Sequence, residues 1–147
     1  MDSEAIENII WSTRLGHNFL GCFCSNRIPS PSKFPAAIII NEDRCGKKGT
    51  HWVALYIKKK DTVVYFDSYG KEPIPKIKEY LNKFTHIAIN YNPFQSIFSQ
   101  NCGYYCIYFV ISMSQGMTFK TILYTLSSKS NPDSFVYHFV KNNFPIE

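Results

Sequence analysis

The stretch that decides the fold is HWVALYIKKKDTVVYFD, residues 51–67, in which two runs rich in β-branched and aromatic residues flank a lysine-rich turn. Such runs, separated by a short polar segment, are typical of the two strands of a β-hairpin. The sequence therefore predicts strands over Trp52–Ile57 and Thr62–Phe66, joined by a turn at Lys58–Asp61.

The register of this hairpin decides which polar residues meet at its open end. A three-residue loop would place Leu55 opposite Val63 and His51 opposite Asp67, with the apolar pairs on one face. A four-residue loop would instead place His51 opposite Ser68. An imidazole beside a carboxylate is the arrangement that a general base and its orienting acid require. Strand ends also often carry polar residues without any catalytic role.

A long apolar run, Gly103–Met113, predicts a buried central helix, and Cys102 lies at its N-terminus after the polar loop Gln95–Asn101. The positive end of the helix macrodipole and the unpaired backbone N–H groups favour a thiolate there, and hence a nucleophile. The alternative is that Cys102 is a small buried side chain, which is the usual environment of cysteine. Cys106, one turn further into the helix, fits that alternative better because burial raises a thiol pKa.

Two glutamines lie close enough in sequence to assist a thiol at Cys102. Gln95 precedes Cys102 by seven positions, and its side-chain amide could donate a hydrogen bond to an oxyanion formed beside the sulfur. Gln100 is nearer in sequence and competes for this role. Either side chain could also be a solvated loop residue, an interpretation that suits Gln100 better than Gln95.

The rest of the chain alternates between helical and extended patterns. The patterns predict helices over Ser3–Arg14, Pro75–Lys83, Thr118–Ser128 and Asp133–Asn142, and strands over Ala36–Ile40 and His86–Asn90. We therefore expect an α+β fold in which helices pack a small, mainly antiparallel sheet, with one domain over residues 1–147.

Composition excludes several classes of protein. Of the 147 residues, 45% are hydrophobic and 18% are charged, which excludes disorder as the main state. No apolar run approaches the roughly 18 residues of a membrane span, and the acidic, amphipathic N-terminus is unlike a secretory signal. The net charge of +5 permits contact with nucleic acid without requiring it.

The cysteine pattern predicts free thiols. Five cysteines occur, at positions 22, 24, 45, 102 and 106, and none of them forms a C-x-x-C pair. An odd number with these spacings suits neither a zinc site nor a disulfide framework. We therefore expect no metal and a reducing compartment.

The order His51, Asp67, Gln95, Cys102 resembles that of the adenovirus endopeptidase (adenain) family of cysteine proteases, and the resemblance covers Phe19–Phe109. The blocks that carry it are Phe19-Leu20-Gly21 with the loop Arg27–Pro31, Gly49-Thr50-His51-Trp52 with Tyr65-Phe66-Asp67-x-x-Gly70, and Gln95-Ser96 with Cys102-Gly103-x-x-Cys106. Six residues separate the glutamine from the cysteine, as in adenain-type enzymes. The Ulp-type SUMO proteases share the clan and the chain order but have five.

The resemblance implies a role for each of these residues. Cys102 would be the nucleophile and His51 the general base, with Asp67 orienting the imidazole. Gln95 and the Cys102 backbone N–H would bind the oxyanion during acyl transfer through a thioester. Trp52 would pack beside the histidine and help to form a narrow channel, so that peptide bonds near glycines are cleaved.

The resemblance also implies a setting and partners. The substrates would be precursor proteins with glycine-rich cleavage sites, matured by a virus or by a virus-like transposon of the Maverick/Polinton kind. The family uses DNA and a short viral peptide as activators, but residues 82–94 contain no cysteine that could hold such a peptide by a disulfide. We expect no required cofactor, no membrane contact and a monomer that acts in the virion and in the host nucleus or cytoplasm.

Two other functions compete with precursor processing. A protease for ubiquitin or SUMO-like modifiers would share the preference for Gly-Gly sites. A module without catalysis, of a different functional class, would use the basic surface to hold DNA during packaging. Salt-dependent DNA binding without peptide cleavage would identify the latter.

Overall fold

The structure is a computed structural model that describes residues 1–46, 51–96 and 99–144. Within these ranges the strands are β1 (Phe19–Cys24), β2 (Ala36–Asn41), β3 (Trp52–Lys59), β4 (Thr62–Phe66) and β5 (His86–Ile89). The helices are α1 (Ser3–Trp11), α2 (Pro75–Leu81), α3 (Cys102–Ser114), α4 (Phe119–Ser127) and α5 (Pro132–Asn143), with a 3₁₀ turn at Arg14–Asn18. The Gly49–Thr50 part of the predicted motif lies outside the described residues.

The strands form one sheet in the order β1-β2-β3-β4-β5. Its three central strands are antiparallel, as predicted, whereas β1 joins β2 and β5 joins β4 in parallel. Helices cover both faces, so the prediction of an α+β fold with a helix-packed sheet is confirmed.

Burial on both faces explains why the central strands are apolar along their whole length. On one face, α2 covers a cluster that includes Leu55, Val63 and Tyr65. On the other face, α3 and its neighbouring helices cover Ala54 and Phe66. Alternation of side chains between the two faces therefore gives two apolar layers rather than one apolar and one solvated face.

The hairpin has a different register from both predicted alternatives. Leu55 pairs with Tyr65, and Ile57 pairs with Val63. A bulge between Ile57 and Lys59 brings Lys59 opposite Thr62, so the connection is tighter than either predicted loop. The shift from the three-residue prediction is two positions, and side chains alternate with a period of two. The prediction of which side chains share a face was therefore unaffected, although their partners were wrong.

Three further sequence predictions need correction. The helix expected to reach Arg14 ends at Trp11. The strand Phe19–Cys24 was not predicted because Gly21, at a φ of 126°, interrupts its pattern. Cys24 and Cys45 are joined by a disulfide, so the expectation that all five thiols are free was wrong.

The central helix α3 is the core of the molecule. Nearly all of its side chains are buried, from Cys102 at its first residue to Met113. Phe109 stacks on Phe66 of β4 with ring centroids 5.0 Å apart. A helix that is apolar on all sides needs cover on all sides, and here the sheet, α1, α4 and α5 provide it. No helix of the described ranges has both the length and the apolar character needed to cross a bilayer.

Candidate active site

Four separate places in the chain supply the predicted site residues. His51 lies one residue before β3, and Asp67 follows the last residue of β4. Gln95 belongs to the loop before α3, and Cys102 is the first residue of α3. All four are nearly inaccessible, with exposed fractions of 8% for His51, 1% for Asp67, 5% for Gln95 and 8% for Cys102. The fold therefore brings together at one end of the sheet four polar residues that a core would normally exclude.

His51 and Asp67 form a close pair. The Nε2 atom of His51 lies 2.6 Å from Oδ1 of Asp67, a short distance typical of a charge-assisted hydrogen bond. The other ring nitrogen, Nδ1, is buried and has no hydrogen-bond partner of ordinary geometry among the described residues. Because Asp67 occupies Nε2, Nδ1 is the nitrogen left for Cys102, which lies within reach of the same ring.

The observed register explains how the pair forms. Continued beyond β4, it sets His51 opposite Tyr69, and the two rings are in contact, tilted by 31° with centroids 4.6 Å apart. Asp67 is then the diagonal neighbour of His51 and reaches it through its side chain. The turn after Asp67 needs Gly70, at a φ of 66°, because a Cβ there would lie 2.7 Å from the carbonyl oxygen of Tyr91.

Backbone N–H groups fix the carboxylate of Asp67. Tyr69 N donates to Oδ1 at 3.0 Å, and Lys71 N donates to Oδ2 at 3.1 Å. The buried side chain of Asn90 holds the backbone of Asp67 at both ends, accepting from its N–H at 2.9 Å and donating to its carbonyl at 2.7 Å. Sequence reasoning treated Asn90 only as the end of a strand, and the position itself carried no further signal.

Electrostatics favour the charged forms of both reactive groups. Burial alone would raise the pKa of the Cys102 thiol, but His51 and the backbone N–H groups of Trp52 and Gly103 outweigh burial and lower it. Burial would likewise lower the pKa of His51, but the hydrogen bond with Asp67 and the neighbouring Cys102 raise it to about 9. The two shifts therefore both favour a thiolate beside an imidazolium.

The other free thiols lack this environment. Burial raises the pKa of Cys106 well above its ordinary value, and the charge of Cys102 adds to that effect. Burial and the neighbouring carboxylate of Glu7 raise the pKa of Cys22. Among the free cysteines of the described residues, Cys102 is the one whose thiol pKa is lowered.

Gln95 is buried in the loop before α3, whereas Gln100 is exposed. The side chain of Gln95 accepts a hydrogen bond from Ser68 Oγ at 2.5 Å and donates from Nε2 to the Ser99 carbonyl at 3.0 Å. Of the two glutamines, Gln95 has the burial and the fixed orientation that an oxyanion donor requires.

Trp52 and Met1 lie near the start of α3. Trp52 is partly buried, and its indole Nε1 donates to the carbonyl of Met1 at 3.1 Å. A Cβ at Gly103 would lie 3.3 Å from the sulfur of Met1.

Glu42 is a further carboxyl group near His51 and Asp67, and burial raises its pKa. The described residues contain no cluster of three or more His, Cys, Asp or Glu side chains placed to hold a metal ion.

No protein-family model matches the chain. In an alignment 99 positions long that covers 59% of the chain, it is 34% identical to the curated protein "Putative thiol protease R355" of Acanthamoeba polyphaga mimivirus. The chain spans about a third, 32%, of the length of that relative.

Two solved structures share the fold. The crystal structure of ASFV pS273R protease matches with a TM-score of 0.69 at 17% identity, covering 99% of this chain and 67% of that one. The Se-Met crystal structure of the same protease matches with a TM-score of 0.56 at 20% identity, covering 76% of this chain and 45% of that one. These likenesses confirm the predicted resemblance to viral cysteine proteases and show that the chain has the fold of the ASFV pS273R protease.

Proposed function

We propose that this chain is a cysteine endopeptidase with Cys102 as nucleophile and His51 as general base. The observation that carries the proposal is that a thiol at a helix N-terminus and a buried carboxylate act on the same imidazole. The thiol pKa is lowered and the imidazole pKa is raised. The likeness in sequence to a mimivirus protein named as a thiol protease, and in fold to a viral protease, supports it.

The first half of the reaction forms a thioester. The Cys102 thiolate attacks the carbonyl carbon of the peptide, and the carbonyl π electrons move to the oxygen. Gln95 Nε2 and the Cys102 backbone N–H donate to that oxyanion. As the carbonyl re-forms, the C–N bond breaks, and the His51 imidazolium gives its proton to the leaving amine.

The second half hydrolyses the thioester. His51, now neutral, takes a proton from water as the water oxygen attacks the carbonyl carbon. The second oxyanion collapses, the C–S bond breaks, and the product leaves as a carboxylic acid. Cys102 is again a thiolate and His51 an imidazolium, held by Asp67.

The substrates we propose are precursor polypeptides cleaved near glycines. Met1 accepts a hydrogen bond from the Trp52 indole and lies against Gly103, and we propose that these residues narrow the approach to Cys102 and so favour substrate residues without a side chain. We propose that a monomer processes them in a virion or an infected cell, since the relative named as a thiol protease is a viral protein. DNA remains a candidate activator because the net charge is +5.

The decisive experiment is cleavage of a glycine-containing peptide library by the wild type and by Cys102→Ala, with and without DNA. We expect the wild type to cleave and Cys102→Ala to show no cleavage above background. Cys22→Ala, which removes a free thiol of raised pKa, is the matched control and should cleave like the wild type. Equal cleavage by Cys102→Ala would overturn the proposal.

Two additional arms separate the competing functions. Rapid labelling of Cys102 by a ubiquitin-like probe ending in Gly-Gly would favour a protease for ubiquitin-like modifiers over precursor processing. Salt-dependent DNA binding by a chain that cleaves no peptide under any condition would favour a packaging module instead.

A further inference from the structure

Ser68 joins the end of β4 to the loop that carries Gln95. Its side chain is buried, with an exposed fraction of 1%, and its hydroxyl donates to Gln95 Oε1 at 2.5 Å. Its carbonyl accepts from the backbone N–H groups of Phe94 at 2.8 Å and of Gln95 at 3.0 Å. Ser68 therefore holds both the backbone and the side chain of Gln95.

These contacts determine which end of the Gln95 carboxamide faces Ser99, three residues before Cys102. The carbonyl of Ser99 can only accept, so the group that lies 3.0 Å from it must be the NH₂ of Gln95. The other end is then the carbonyl oxygen, which accepts from the Ser68 hydroxyl. Among the acceptors of the described residues, Ser99 takes one N–H of that NH₂, which leaves the second to donate to an oxyanion.

We propose that Ser68 is a positioning residue that orients the carboxamide of Gln95 toward the oxyanion, an inference that rests on the proposed function. Without the hydroxyl, the buried Oε1 would lack its donor. The carboxamide could then rotate, and its NH₂ would no longer be directed at the developing charge.

The two halves of the site are therefore oriented by consecutive residues. Asp67 contacts His51 and supports the thiolate, whereas Ser68 contacts Gln95 and supports the oxyanion. The groups that lower the pKa of the Cys102 thiol are His51 and the backbone N–H groups of Trp52 and Gly103. Removal of the Ser68 hydroxyl should therefore leave the thiolate intact. Loss of the Ser68 hydroxyl should therefore slow peptide cleavage alone, whereas a general loss of structure would also slow alkylation of Cys102.

The test compares two reactions of Cys102 in Ser68→Ala. Cleavage of a glycine-containing peptide passes through an oxyanion, whereas alkylation by iodoacetamide displaces iodide at a saturated carbon and forms none. We expect kcat for the peptide to fall about 10- to 100-fold with KM within about twofold of the wild type. The pH dependence and rate of alkylation should stay at the wild-type values.

A double-mutant cycle assigns the effect to Gln95. In a Gln95→Ala background, Ser68→Ala should lower kcat by less than about twofold, because the group it positions is already gone. Ser112→Ala, the same change at an equally buried serine far along α3, is the control and should leave kcat unchanged.

Three results would overturn the inference while leaving the proposed function standing. They are a wild-type kcat in Ser68→Ala, an equal loss of peptide cleavage and of alkylation, and full additivity with Gln95→Ala. Failure of the proposed function would show differently, as peptide cleavage that persists in Cys102→Ala.

Discussion

At the scale of single residues, the proposed mechanism depends on a charge pair between a thiol and an imidazole, two groups that are neutral in most proteins at pH 7. Burial opposes both charges, and neighbouring hydrogen bonds reverse its effect at both residues. The carboxylate of Asp67 contributes most directly to the imidazolium, because it lies 2.6 Å from Nε2.

This arrangement predicts the pH dependence of the wild type and of Asp67→Asn. Alkylation of Cys102 should increase with pH through the lowered pKa of the thiol, and peptide cleavage should decline again near pH 9 as His51 loses its proton. In Asp67→Asn the imidazolium loses its counter-charge, so the His51 pKa falls and the Cys102 pKa rises. We expect the two limbs of the profile to approach each other and kcat/KM to fall about 100-fold or more.

The measurement is a pair of pH profiles, for iodoacetamide alkylation and for peptide cleavage. Asp61→Asn, the same change at the exposed hairpin turn, should leave both profiles in place. Unshifted profiles in Asp67→Asn would show that Asp67 does not act on the imidazole.

The residues that the sequence predicted differ in kind from those it missed. His51, Asp67, Gln95 and Cys102 carry reactive groups, and their order along the chain is informative by itself. Ser68 and Asn90 act only through partners 27 and 23 positions away, and no local pattern marks such contacts. Hydrogen bonds that support a site from distant positions can therefore be identified only in the folded structure.

At the scale of elements, the sequence pattern predicted where strands and helices lie better than it predicted which residues pair between strands. Apolar runs located the central strands and α3 because burial on both faces removes polar residues from them. The hairpin partners were wrong by two positions because a two-residue turn joins the strands and a bulge lies between Ile57 and Lys59. The net shift is even, so the faces are unchanged. Strand β1 was missed because its six residues, FLGCFC, do not alternate.

Packing between α3 and β4 predicts a large loss of stability on Phe109→Ala. The ring of Phe109 is fully buried and stacks on Phe66, so its removal leaves a cavity in the core. We expect the free energy of unfolding to fall by about 3–5 kcal/mol in urea denaturation. Tyr124→Ala, which truncates an exposed ring of α4, should change it by less than about 0.5 kcal/mol. A change in Phe109→Ala as small as that of the control would contradict the described packing.

At the scale of the whole molecule, the disulfide Cys24–Cys45 ties the end of β1 to the segment that leads into His51. Two hydrogen bonds lie beside it. Ser25 N donates to the Asp43 carbonyl at 3.1 Å, and Cys45 N donates to Asn26 Oδ1 at 2.9 Å. The cross-link lies outside the four-residue site, so its contribution should be to the stability of the fold rather than to the reactivity of Cys102.

This placement predicts that Cys24→Ser and Cys45→Ser lose the same amount of stability. A cross-link between positions 21 apart restricts the unfolded chain, and its removal should cost about 3 kcal/mol. In the denatured, unreduced wild type, a thiol reagent should count the three free cysteines 22, 102 and 106, and all five after reduction. The pH profile of Cys102 alkylation in either variant should match that of the wild type, since neither cysteine acts on the thiol or on His51. Five reactive thiols before reduction would show that the bond is absent. A shifted alkylation profile would show instead that the segment before His51 needs this anchor to hold the imidazole in place.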